Sequence, residues 1–124
     1  MNGWLLAGGV IASATALIHA IGGGLDTVRP LLGSGMPDEP KRTLHAVWHM
    51  VTADLLFSGV ALVGLGWAGV TNALLVLFIG VRFLAYSMTF VVISFRVGWP
   101  RPLLRLPQWM LLLPVAILAA MGIA

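Results

Sequence analysis

The sequence contains no cysteine, which excludes disulfides, thiolate metal ligands and thiol nucleophiles together. Any metal must therefore be held through nitrogen or oxygen. Charge is nearly as scarce: Asp, Glu, Lys and Arg make up only 9% of the 124 residues, where a soluble domain carries about 25%. Neither paired catalytic carboxylates nor a Ser/His/Asp ordering can be argued from the sequence. The three consecutive glycines, Gly22, Gly23 and Gly24, lack the preceding strand and the spacing of a dinucleotide fingerprint. The net charge of +3 comes without a basic stripe interleaved with aromatics, so nucleic acid is not the expected partner; anionic lipid headgroups are.

What is present is apolar: 60% of residues are hydrophobic and the mean hydropathy is +1.02. A bilayer-spanning helix takes roughly 20 mainly apolar residues, so the chain has room for about four spans and short connections. The expected fold is all-α, an antiparallel four-helix transmembrane bundle in one domain covering residues 1–124, with helices near 3–21, 39–64, 70–95 and 107–123. Met1 to Gly24 is as apolar as a secretory signal, but no Lys or Arg precedes its apolar run, and it reads as a retained first helix ending at the glycines. Asp38, Glu39 and Pro40 mark the start of the second helix. Gly64, Gly66, Trp67 and Gly69 mark the turn after it. Pro114 predicts a kink in the fourth.

Arg29, Lys41 and Arg42 fall in the first connection, and Arg96, Arg101 and Arg105 at or in the third. The positive-inside rule places both connections in the cytoplasm and both termini outside. Trp4, Trp67, Trp99 and Trp109 fall near span ends, as interfacial anchors do. Gly8, Ala12, Ala16 and Ala20 form a small-residue stripe that permits close helix packing in lipid.

Two groups of residues can carry chemistry. With this orientation His19, His45 and His49 share one depth on the cytoplasmic side, and His45 and His49 share a helix face. Three imidazoles suit a transition metal ion or haem, for electron transfer or metal handling; the competing account is that interfacial histidines bond only to backbone or headgroups. Asp54 and Arg82 are the formal charges deep inside spans, and an unpaired charge there costs several kcal/mol, so they are expected to pair between the second and third helices. Arg82, Tyr86, Thr89 and Arg96 form one stripe on the third helix that is suited to line a cavity. Asp54 lies about half a turn round the helix from His45 and is not counted as a metal ligand. Trp48, Met50 and Met88 read as packing or lipid contacts.

The segments H-A-I-G-G-G, R-P-L-L, A-V-W-H-M-V-T and P-Q-W-M-L-L-L-P resemble a pattern in small uncharacterised bacterial four-span membrane proteins. The resemblance carries no activity, but it implies that His19, Arg29, Pro30, His49, Gln108 and Trp109 are worth mutating. Three functional readings follow: a membrane protein with a histidine-bound metal or haem, a non-catalytic accessory subunit of a larger membrane complex, and a small proton-coupled transporter using Asp54 and Arg82 as a homodimer. Reporters fused to each terminus should both report a non-cytoplasmic location; a cytoplasmic signal from either end would overturn the orientation and the shared depth of the histidines.

Overall fold

The computed structural model describes Met1–Ala124, and every regular element in it is helical. Helix α1 spans Gly3–Leu32, α2 Asp38–Ala68, α3 Ala73–Val97, the single turn α4 Pro102–Arg105, and α5 Trp109–Ile123. Helices α1, α2 and α3 are long and apolar enough to cross a membrane, which marks the chain as an integral membrane protein. Helix α5 is apolar but has only 15 residues, about 22 Å of rise against a hydrocarbon core of about 30 Å.

Helix α1 differs from expectation at its second half. It does not end at Gly22 but continues to Leu32, with His19–Val28 wound as a π-helix in which the Arg29 amide reaches back five residues to the Gly24 carbonyl. Within this segment the glycine amides and carbonyls stay bonded in the helix. Gly23 serves a close approach instead of a stop: a Cβ there would lie 2.6 Å from the Trp48 indole. The true connection is short and closed by polar contacts, Ser34 Oγ donating to the Leu31 carbonyl (2.6 Å) and Lys41 Nζ to the Ser34 carbonyl (2.8 Å).

Helix α2 starts at the expected acidic turn but passes Gly64 and ends at Gly69, whose φ of +67° requires the left-handed region. The glycines before it pack helices together. A Cβ on Gly66 would sit 2.8 Å from the Leu6 nitrogen, and one on Gly9 2.6 Å from that of Val63, so α1 and α2 meet backbone to backbone. On its other side α1 packs against α5, and α5 against α3. Leu5, Leu62, Val76, Phe83 and Val115 are fully enclosed between them. Helices α2 and α3, though consecutive, stand apart along their backbones.

Asn2 ties three helix ends together. Its side-chain oxygen accepts the Leu5 amide (3.3 Å) and caps α1, its own amide donates to the Gly66 carbonyl (2.8 Å), and its Nδ2 donates to the Gly122 carbonyl (2.8 Å). The first turn of α1 therefore meets the last turns of both α2 and α5.

The glycine seam makes a contrast that unfolding in mixed micelles can measure. Gly59→Ala places a Cβ 2.8 Å from the Ser13 nitrogen and should cost about 1–3 kcal/mol. Gly64→Ala meets nothing within 4 Å and should be neutral or stabilising through helix propensity. Equal effects at the two positions would show that the α1–α2 seam tolerates separation.

Candidate functional site

The strongest polar constellation lies where α2 and α3 face each other without close backbone contact. Arg82, from α3, forms an ion pair through its guanidinium with the Asp54 carboxylate of α2. Tyr86, one turn beyond Arg82, joins the two: Arg82 Nε donates to its hydroxyl (3.3 Å), and that hydroxyl donates to Asp54 Oδ2 (3.1 Å). The Arg82 guanidinium also lies over the Phe78 ring at 5.2 Å and the Tyr86 ring at 5.8 Å. Each partner thus has several bonds, which is the condition for placing charge in a low-dielectric layer.

The side chains of Arg82 and Asp54 retain 23% and 31% of their exposure. The pair is therefore neither sealed in the core nor placed in an open channel; it sits in the α2–α3 seam with one edge facing outward. No titratable residue occurs between Gly3 and Ile18 of α1 or anywhere in α5, so the pair has no competing charge from the helices that complete the bundle.

The rest of the expected polar stripe does not join this network. The Thr89 hydroxyl donates to the Ala85 carbonyl of its own helix (2.9 Å), and Thr89 and Arg96 are both exposed. Tyr86, expected as a lining residue, is instead the bridge between the two charges.

The three histidines divide into two settings. His45 and His49 meet one turn apart on α2, Nε2 to Nε2 at 3.1 Å. His19 lies flat on the Trp48 indole, with ring centres 3.8 Å apart and planes 15° from parallel, and its Nε2 donates to the Trp48 carbonyl (3.3 Å). No group of three or more His, Asp or Glu side chains comes together in a way that can hold a metal ion. Trp48, read from sequence as a packing residue, holds His19; the pairing of a large aromatic on α2 with the side-chain-free Gly23 on α1 is the signal that would have found it.

Other polar groups inside the bundle are satisfied locally. Thr15 and Ser94 donate to carbonyls one turn back, at 2.7 and 2.8 Å, and Ser87 donates across to the Trp109 carbonyl at 3.4 Å. No buried side-chain nitrogen or oxygen lacks a partner. This leaves the Asp54–Arg82–Tyr86 network as the group whose chemistry exceeds what packing requires.

Comparison with known proteins gives no match to a family model, to a curated protein or to a solved structure.

A double-mutant cycle tests the pair. Asp54→Ala and Arg82→Ala should each destabilise the protein by about 3–5 kcal/mol, because each strands a charge, and the double variant should cost less than their sum. Tyr86→Phe, which removes only the bridging hydroxyl, should cost about 1 kcal/mol. Additive single effects would show that Asp54 and Arg82 act independently.

Proposed function

We propose that the chain is a four-span antiparallel protein of a bacterial inner membrane, with both termini non-cytoplasmic, in which Asp54, Arg82 and Tyr86 form a protonatable site for proton-coupled transport. The observation that carries this reading is an ion pair bridging two consecutive helices whose backbones do not pack, with Tyr86 hydrogen-bonded to both charges. A structural clamp has no need of such a seam, because α1, α2 and α5 already pack through glycine and alanine. Protonating Asp54 removes the attraction that spans the seam and frees Arg82, so proton binding is coupled to the spacing of α2 and α3. Four spans enclose little volume, and two copies complete the pathway.

The distance between His45 and His49 favours a second role, for metal binding at the cytoplasmic edge. Two nitrogens that each bind zinc at about 2.0–2.1 Å in tetrahedral geometry lie roughly 3.3–3.4 Å apart. The 3.1 Å hydrogen-bonded separation here is close to that, so the two imidazoles would hold an ion with little rearrangement. Side-by-side imidazoles on one helix would suit a single ion better than haem. His19 is occupied with Trp48 and stands outside the pair.

Each role has its own measurement. Infrared difference spectra of the protein in lipid should show the carbonyl band of a protonated carboxylic acid appearing on acidification, and Asp54→Asn should abolish it; a band that survives this change belongs to another carboxylate and removes the basis for the transport reading. Equilibrium dialysis against zinc should show binding that is lost in His45→Ala and His49→Ala, retained in His19→Ala, and weakened by acid as protons compete for imidazole. Zinc binding unaltered by the change at His45 or at His49 would reduce the pair to a hydrogen bond.

A further inference from the structure

The outward edge of the ion pair adjoins a surface whose chemistry is specific enough to name an occupant. Leu74, Phe78 and Arg82 follow one another at intervals of four on α3 and share one face. Asn72, Leu74, Leu75 and Phe78 line an open groove. Leu74 and Phe78 are 78% and 59% exposed, while the guanidinium of Arg82 rests over the Phe78 ring. The surface is therefore an apolar track with a cation at its inner end. From position 74 to position 82 the helix rises about 12 Å, the reach of a medium-length alkyl chain.

A cation at the end of an apolar track in lipid is complementary to one kind of molecule, an amphiphile with a single terminal anion. When Asp54 is ionised it occupies Arg82, and the track ends at a closed pair. When Asp54 takes a proton its carboxyl group becomes neutral, and Arg82 needs another anion, because an unpaired guanidinium at this depth is costly. We infer that the α3 track binds a lipophilic carboxylate, with its chain along Leu74, Leu75 and Phe78 and its carboxylate on Arg82 in place of that of Asp54. One proton enters on Asp54 for each carboxylate that binds, so the charge of the occupied site equals that of the empty one. The titratable groups facing Asp54 are Arg82 and Tyr86, whose hydroxyl donates to Asp54 Oδ2. This inference rests on the reading of Asp54 as a group that takes up a proton.

The test uses radiolabelled decanoate and the whole chain in lipid nanodiscs. The unmodified protein should bind decanoate saturably, more tightly on acidification within the range where decanoate remains ionised, and methyl decanoate should not compete. Asp54→Asn should bind at neutral pH with no further response to acid, and Phe78→Ala should weaken binding on the order of tenfold. Uptake no greater than in empty nanodiscs, or equal competition by the ester, overturns the inference; if the infrared band of protonated Asp54 is present in the same preparation, the proton site itself stands. Absence of that band removes both. The comparison of acid with ester needs no variant, so a folding defect in a mutant does not decide the outcome.

Discussion

Hydrocarbon offers a backbone no hydrogen-bonding partner, and that single constraint accounts for most of what this chain does. It keeps the long apolar runs of α1, α2 and α3 helical from end to end. It sends the Thr15 and Ser94 hydroxyls back to carbonyls of their own helices. It also makes van der Waals contact, in place of water release, the chief force between helices, so the residues that matter most for assembly are those with least side chain: Gly9, Gly59 and Gly66.

The same constraint explains which parts of the molecule were legible in the sequence. Long apolar runs and the scarcity of charge announce a helical membrane protein, and the isolation of Asp54 and Arg82 in such runs announces their pairing, because no other partner is within reach at that depth. Helix ends were harder to read. In water glycine punctuates; here Gly22 to Gly24 and Gly64 lie within helices, and the breaks fall at Gly69 and Gly98, the two glycines with positive φ. The histidines illustrate a second limit. The order of elements brings His19 near the second helix, but azimuth was not readable, and a rotation about α1 decides whether His19 meets the other imidazoles or lies on Trp48. Asn2 gave no signal beyond that of an ordinary N-cap, since its reach to Gly66 and Gly122 depends on where two distant helices end.

The bundle has an uneven distribution of cohesion. Close contact runs from α2 through α1 and α5 to α3, while the remaining side, between α2 and α3, is bridged by long side chains and one ion pair. Close-packed interfaces lose much of their contact energy with a small separation, whereas a polar bridge can open and reform with the protonation of one carboxyl group.

The position of Asn2 also bears on the order in which the protein assembles. Its bond to the Gly122 carbonyl joins residues 120 positions apart, so it cannot form until every helix between them has been made. Helices α1 and α2 can zip along their glycine seam as soon as both are inserted, but the docking of α5 and the capture of its last carbonyls belong to the final step. The side chain that caps the first helix therefore also closes the last one, and a single residue links an early event of folding to its completion.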